Sequence, residues 1–118
     1  MALSIFVDGS GGPEAGFGFF VKETGESFYK KEAKITNNQA EYMAIVSVLK
    51  KFLGSTDEIV IYSDSKNTVS QLNHEYAINN SQLRSLAMEA WQFMAKYPNL
   101  KIKWIPRNEN LAGKMLGS

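Results

Sequence analysis

The stretch Thr36-Asn37-Asn38-Gln39-Ala40-Glu41-Tyr42-Met43-Ala44 predicts the start of an amphipathic helix around which the rest of the chain can be arranged. The apolar residues that follow at helical spacing, so that one helix face must pack on a large apolar surface, are Tyr42, Ile45, Val46, Leu49, Phe52 and Leu53. Asn37 or Asn38 would be a suitable N-cap, and the helix dipole favours an acid such as Glu41 in the first turn. Glu41 is therefore either an ordinary helix-start residue or a carboxylate placed for chemistry.

Length and composition predict one globular domain over residues 1–118. The chain has 118 residues, of which 44% are hydrophobic and 21% charged, enough for a single core. It has no cysteine, which excludes disulfides, thiolate metal sites and a cysteine nucleophile, and the cytoplasm is the default compartment. The apolar run Leu3–Val7 is too short to span a membrane. We expect a monomeric protein that does not bind or span a membrane.

The formal net charge of +1 hides an uneven distribution. Residues 96–118 contain one acid, Glu109, and five basic residues: Lys96, Lys101, Lys103, Arg107 and Lys114. This basic C-terminal part is compatible with contact to a phosphate backbone, but an ordinary solvated surface explains the charge equally well.

Three strands are predicted before the helix. Leu3–Val7 is a buried strand that ends in the turn-rich sequence Asp8-Gly9-Ser10-Gly11-Gly12-Pro13, so Asp8 should stand at a carboxyl end. Residues 16–22 and 27–35 would follow as strands joined by the turn Thr24-Gly25-Glu26. Short turns between consecutive strands favour an antiparallel meander.

The remaining elements alternate between strand and helix. The helix with Glu41 should end near Gly54, and Glu58–Ser63 is a continuous apolar strand that ends at Asp64. Helices over residues 65–72 and 81–96, a strand over 101–105 and at most two helical turns within 108–116 complete the order βββαβααβα.

Two acids, Asp8 and Asp64, are placed directly after buried strands, where open α/β sheets build their sites. If these strands are neighbours, and the helix begins at the same edge, Glu41 joins the pair. Three clustered carboxylates repel one another unless a cation holds them, and hard oxygen ligands suit Mg²⁺ or Mn²⁺. The prediction is an acidic divalent-metal site.

Four motifs occur along the chain in this order: Asp8-Gly9-Ser10, Thr36-Asn37-Asn38-Gln39-Ala40-Glu41, Tyr62-Ser63-Asp64-Ser65-Lys66 and Trp104-Ile105-Pro106-Arg107. Their order and spacing resemble those of type 1 ribonuclease H, and the match runs from about residue 3 to residue 116. The chain resembles the compact members, because residues 73–80 contain no Lys or Arg that could form the family's basic protrusion. The resemblance implies a ribonuclease H-like α/β fold: a mixed five-stranded sheet with helices on both faces.

The same resemblance implies hydrolysis of the RNA strand of an RNA–DNA hybrid, leaving 5′-phosphate and 3′-hydroxyl ends. Two Mg²⁺ or Mn²⁺ ions about 4 Å apart would orient the attacking water and stabilise the leaving oxygen. Asp8 would bridge the ions, Asp64 would share that work, and Glu41 would bind one ion near the substrate's 2′-hydroxyl.

Four further residues are implied as substrate contacts. The backbone of Gly9 and the side chains of Asn38 and Ser65 could contact sugars and minor-groove edges, where the 2′-hydroxyl distinguishes RNA from DNA. Arg107 would meet a phosphate or the leaving group.

The chain departs from the family at the fourth acidic position. Active relatives usually place a carboxylate four residues after an Asn that matches Asn110, and here that position is Lys114. Asn110 would cap the last helix, or its amide oxygen would serve as a neutral metal ligand, and Asn108 is the less favoured candidate. We expect reduced but real activity, with Mn²⁺ as the candidate for the better metal.

Other features predict less. His74, the single histidine, lies in a polar loop and is expected at the surface, and the glycine-rich residues 9–16 lack the Lys-Ser/Thr ending of a phosphate-binding loop, so no nucleotide cofactor is implied. Two alternatives stay open: a catalytically weak or inactive nucleic-acid-binding domain of the same fold, and a related nuclease that acts on DNA.

Overall fold

Strand β1, Ala2–Ser10, lies at the centre of a five-stranded sheet in the computed structural model, which describes residues 2–115 and the side-chain surroundings as far as residue 113. The other strands are β2 (Gly16–Val21), β3 (Ser27–Lys31), β4 (Glu58–Ser63) and β5 (Leu100–Trp104). Their order across the sheet is β3-β2-β1-β4-β5. The first three strands are antiparallel, as the short turns predicted, while β4 and β5 run parallel to β1.

The helices are α1 (Asn37–Lys51), α2 (Lys66–Leu72), α3 (Ser81–Met94) and α4 (Leu111–Met115), with a 3-10 turn at Arg107–Glu109 before α4. Helix α1 packs on β1 and β2 and against α3, while α4 contacts β1 and β2. The mixed five-stranded sheet with flanking helices confirms the predicted fold class and element order. In the described part of the chain, no helix has the length and apolar character needed to cross a lipid bilayer.

Alternation along β1 decides which side chains enter the core. Leu3, Ile5 and Val7 are buried on the side that faces α1, which presents Ile45 and Leu49 to the same core. Phe6 lies on the opposite side of the sheet, where its ring stacks on Tyr62 of β4 with centroids 5.0 Å apart. The apolar spacing that predicted α1 therefore corresponds to its buried face.

Two strand boundaries differ from the prediction because pairing across the sheet decides them. Strand β1 does not end before Asp8: it runs to Ser10, which pairs with Gly16 of β2. Strand β3 ends at Lys31 and not at Ile35, because its partner β2 begins at Gly16, opposite Lys31. Asp8 is thus an internal strand residue that lies two positions beyond Phe6, the last residue of β1 paired with β4.

The start of α1 also differs from the prediction. Thr36, and neither Asn37 nor Asn38, is the N-cap: its hydroxyl accepts from the backbone N–H of Gln39 at 3.1 Å, and the Gln39 side chain accepts from the backbone N–H of Thr36 at 2.9 Å. This reciprocal pair is a capping box. Because α1 begins at Asn37, Glu41 lies in the second turn, and the first turn holds no acid.

Smaller differences affect the later elements. Strand β4 is buried on the α1 side only, since Val60 and Tyr62 are partly exposed. Helix α3 ends at Met94 and not Lys96, β5 begins one residue early at Leu100, and the last predicted helix is divided by Asn110. The predicted end of that helix, Leu116, lies outside the described residues.

Candidate active site

Three carboxylates meet at one edge of the sheet. Asp8 lies near the end of β1, Asp64 directly follows the parallel strand β4, and Glu41 comes from α1. One carboxylate oxygen from each lies within 4.8 Å of the others. The side chains of Asp8 and Asp64 are 4% and 7% exposed, and Glu41 is 7% exposed. The chain therefore gathers a buried acidic cluster, which we call the triad.

Gly9 allows α1 to approach β1 closely enough to bring Glu41 to the triad. A Cβ atom at position 9 would lie 2.5 Å from the backbone carbon of Ala40, well inside the closest contact that real Cβ atoms make. The backbone N–H of Gly9 also donates to Glu41 Oε1 at 3.3 Å. The residue that we expected to offer its backbone to substrate thus serves helix packing and holds Glu41.

Ser63 is a second partner of Glu41, which was not predicted from the sequence. Its hydroxyl donates to Glu41 Oε2 at 3.4 Å. The alternation of β4 could have revealed this residue, because Ile59, Ile61 and Ser63 share the face that is buried under α1.

The pKa of Glu41 is raised from 4.5 to about 8. Burial is the largest cause, and the charges of Asp8 and Asp64 raise the pKa further, whereas the bonds from Gly9 and Ser63 lower it. Without a cation, burial and the neighbouring charges therefore favour the protonated form of Glu41. A divalent cation would replace that proton and relieve the repulsion.

Asn110 is buried and anchors the triad from the far end of the chain. Its Nδ2 donates to the carbonyl of Val7 and to Asp64 Oδ2, both at 2.9 Å, and its Oδ1 accepts from the backbone N–H of Ala112 at 3.0 Å. The two backbone partners fix the amide orientation, since Val7 needs a donor and Ala112 an acceptor. The amide oxygen that we considered as a metal ligand is engaged in capping α4.

The side chain of Lys114, at the position where the family usually has a fourth acid, lies outside the described residues. Asn108, the less favoured candidate, is exposed on the 3-10 turn.

Arg107 brings a positive charge to the triad. Its Nη1 lies 3.5 Å from Asp64 Oδ2 and 3.9 Å from Asp8 Oδ1, and its side chain is 59% exposed. The structure thus places this predicted phosphate contact directly beside two of the carboxylates.

The other proposed substrate contacts lie around the same edge. Asn38 is exposed on the first turn of α1. Ser65 is the N-cap of α2: its hydroxyl accepts from the backbone N–H of Thr68 at 3.3 Å. Trp104, which was predicted only as part of a motif, donates from Nε1 to the carbonyl of Asp64 at 3.1 Å.

His74 lies apart from the triad's hydrogen-bond network. It is exposed, and its ring stacks on Trp91 with centroids 4.8 Å apart, at a cavity of about 430 Å³ to which no triad residue contributes. The surface position predicted for His74 is confirmed.

The mixed five-stranded sheet, with Asp8 near the end of β1 and Asp64 directly after the neighbouring parallel strand β4, has the ribonuclease H-like α/β fold. The RNase H family profile matches residues 1–113, and the chain belongs to that family. EbsB of Enterococcus faecalis is 30% identical over 122 residues, which cover 97% of this chain and 90% of EbsB.

Solved structures share the fold. RNase H1 from the halophilic archaeon Halobacterium salinarum NRC-1 matches with a TM-score of 0.87 and 23% identity, covering 98% of this chain and 94% of that one. LC11-RNase H1, solved in complex with an RNA/DNA hybrid, matches with a TM-score of 0.84 and 24% identity over 97% and 92% of the two chains.

Proposed function

We propose that the protein is a metal-dependent endonuclease that hydrolyses the RNA strand of RNA–DNA hybrids and leaves 5′-phosphate and 3′-hydroxyl ends. The observation that carries this proposal is the triad: three carboxylates within 4.8 Å at the sheet edge of a chain from the RNase H family. The complex of LC11-RNase H1 with an RNA/DNA hybrid supports the choice of substrate.

The donor set suits a hard divalent cation. Asp8, Glu41 and Asp64 supply carboxylate oxygens, which are the ligands that Mg²⁺ and Mn²⁺ prefer, and within the described part of the chain no softer ligand belongs to the cluster. Two such ions, when bound, would polarise the phosphate and activate the attacking water. The pKa of Glu41 near 8 fits a site in which an ion replaces a proton.

The chain's own residues would orient the hybrid around the triad. Arg107 would meet a phosphate, and Glu41 would lie near the 2′-hydroxyl. Asn38 is exposed at the start of α1, where its amide could contact a sugar or a minor-groove edge. The hydroxyl of Ser65 already caps α2, so its contact with substrate would have to share that hydrogen bond.

A catalytically weak or inactive hybrid-binding domain is the second candidate, and the fourth position favours it. The sequence contains no acid after Glu109, and the Asn110 amide already makes three hydrogen bonds within the protein, one of them through its oxygen. A triad without a fourth carboxylate should hold a second ion weakly. We therefore expect activity that is reduced, with Mn²⁺ as the candidate for the better metal.

The remaining parts of the proposal are a hybrid as the macromolecular partner, a monomer, no membrane, no nucleotide cofactor and a cytoplasmic location. They follow from the family resemblance and the composition given above.

Cleavage of end-labelled substrates tests the proposal. An RNA–DNA hybrid, a DNA duplex and an RNA duplex are each incubated with Mg²⁺ or Mn²⁺. We expect cleavage of the hybrid's RNA strand alone, its loss by at least about a hundredfold in Asp64→Asn, and its retention in Glu58→Gln, which removes an exposed acid from the start of β4. Selective cleavage of the DNA duplex would identify a DNA nuclease, and hybrid binding without cleavage would identify the binding domain.

A further inference from the structure

The guanidinium of Arg107 is held loosely by the triad. Its contacts to Asp64 Oδ2 and Asp8 Oδ1, at 3.5 and 3.9 Å, are ion-pair distances that exceed the usual 2.7–3.2 Å of a hydrogen bond. The two carboxylates are almost entirely buried, whereas the arginine side chain is 59% exposed. The cation thus approaches from the solvent side, with more than half of its side chain already in contact with water.

The backbone beneath Arg107 is fixed independently of its side chain. The carbonyl of Arg107 accepts from the N–H of Asn110 at 3.1 Å, and Asn110 is anchored in turn to Val7 and Asp64. If the guanidinium moves, only the side chain has to rotate. The residue therefore stays beside the triad whether or not it touches the carboxylates.

A divalent cation and this guanidinium compete for the same charge. Both are attracted to Asp8 and Asp64, and they repel each other at the short distances that the triad imposes. Asn110 also occupies part of the hydrogen-bonding capacity of this carboxylate, because its Nδ2 already donates to Asp64 Oδ2, the atom that Arg107 approaches.

We propose that Arg107 is a resident counter-ion of the triad that a divalent cation must displace, so that this residue lowers the metal affinity and becomes available to a substrate phosphate once metal is bound. The inference rests on the proposed function, since it takes the triad as the metal ligands. It adds an order of events: metal first, then release of Arg107, then phosphate contact.

Arg107→Gln should have opposite effects on the metal-free protein and on metal binding. Without metal, Arg107→Gln removes the charge that offsets the carboxylates, so the melting temperature should fall. With metal, the same substitution removes a repelling charge, so Mn²⁺ should bind more tightly. A residue that only supports the fold would not tighten metal binding when it is lost.

Calorimetric titration of Mn²⁺ into protein without nucleic acid measures this effect. We expect the dissociation constant to fall about tenfold in Arg107→Gln and to change little in Arg107→Lys, which keeps the charge. Arg84→Gln is the matched control, because it removes the other arginine, whose Nη2 donates to the carbonyl of Ile78. Its Mn²⁺ affinity should equal that of the wild type.

Asp64→Asn separates failure of this inference from failure of the proposed function. If Asp64→Asn abolishes Mn²⁺ binding while Arg107→Gln binds Mn²⁺ no more tightly than the wild type, the counter-ion role is overturned and the metal site stands. If Mn²⁺ binds Asp64→Asn as well as the wild type, the triad is not the metal site and both proposals fail. Tighter binding in both Arg107→Gln and Arg84→Gln would reduce the effect to overall charge and also overturn the inference.

Discussion

Glu41 carries the largest pH-dependent free energy that the site geometry implies. Its pKa of about 8 lies well above the value of 4.5 expected in the unfolded chain. Between these two values the folded protein keeps a proton that the unfolded chain has released, so the free energy of unfolding must fall as pH rises. The loss should reach a few kcal/mol by pH 8 in the absence of metal.

Urea unfolding in EDTA at pH 5.5, 7 and 8.5 checks this prediction. Glu41→Gln cannot release the proton, so its stability should decline less over this interval and exceed that of the wild type at pH 8.5. Glu58→Gln, at an exposed position, should follow the wild-type pH dependence. Parallel pH profiles for wild type and Glu41→Gln would show that the raised pKa is wrong.

Asn110 makes three hydrogen bonds, two of them buried, and their loss should lower the free energy of unfolding. Asn110→Ala leaves the carbonyl of Val7 and the N–H of Ala112 without this partner, which should cost about 2–4 kcal/mol. Asn110→Asp keeps the acceptor for Ala112 but places a second carboxylate beside Asp64, so it should also be destabilised when metal is absent.

Chemical denaturation and hybrid cleavage of both Asn110 variants, beside exposed Asn108→Ala as control, separate the two roles of this amide. The structure predicts that both Asn110 variants are less stable than the wild type and that Asn108→Ala is as stable as the wild type. Loss of cleavage at unchanged stability would instead restore the amide as a metal ligand.

At the scale of elements, the contact between β1 and α1 positions the triad. Gly9→Ala would drive a Cβ atom into the backbone of Ala40, at 2.5 Å from its carbonyl carbon and 2.6 Å from its oxygen. Helix α1 must then move away, and Glu41 moves with it. We expect a loss of about 1–3 kcal/mol of stability, typical of overpacking, together with weaker Mn²⁺ binding.

A double variant shows which atoms of Ala40 cause the loss of stability in Gly9→Ala. Adding Ala40→Gly to Gly9→Ala removes the Cβ contact at 2.8 Å but leaves the two backbone contacts in place. Thermal denaturation should therefore find little recovery in the double variant. Full recovery would mean that side-chain crowding alone separates the two elements.

The sequence was sufficient to predict which elements bear the triad, because the signals are local. A buried run before Asp64 and the apolar period after Glu41 identify a strand and a helix wherever they lie in the fold. The exact end of β1 was not predictable in this way, because the pairing of Ser10 with Gly16 depends on β2. The strand continues through Asp8 because β1 pairs with β2, so its end depends on both segments and not on the sequence of β1 alone.

The other features that were not predicted, at the start of α1 and around the triad, also depend on individual contacts between residues. The N-cap is Thr36 and not the predicted Asn37 or Asn38, since all three residues are good caps and only the bond to Gln39 distinguishes them. The burial of Glu41 and the approach of Arg107 depend on contacts across 32 or more residues of sequence, to Gly9 in one case and to Asp8 and Asp64 in the other. Such contacts leave no periodic signal in the chain.

At the scale of the whole molecule, the charge distribution predicts weak electrostatic attraction to nucleic acid. The net charge is +1, and among the residues that the structure describes four lysines lie within 4.0 Å of glutamates: Lys30, Lys31, Lys50 and Lys51. With few phosphate contacts, log affinity should fall with log salt at a slope of magnitude below about 4, since each neutralised phosphate contributes slightly less than one.

Fluorescence anisotropy of a labelled hybrid with Asp64→Asn protein, measured from 50 to 200 mM salt, gives this slope without cleavage. Lys103→Gln on exposed β5 should reduce the slope by at most about one. A loss of affinity on the order of 10⁵ over that range would reveal an extensive basic surface and contradict the prediction.

The hydrogen bond from Trp104 to the carbonyl of Asp64 gives the molecule an optical probe of its own chemistry. The chain has two tryptophans, and the other, Trp91, is stacked against His74. Replacing Trp91 by Phe would leave one indole emitter, 47% exposed and bonded to the backbone of a triad residue. Binding of an ion by Asp64 should then shift the emission of Trp104, so that metal binding at the triad can be followed by the intrinsic emission of the protein.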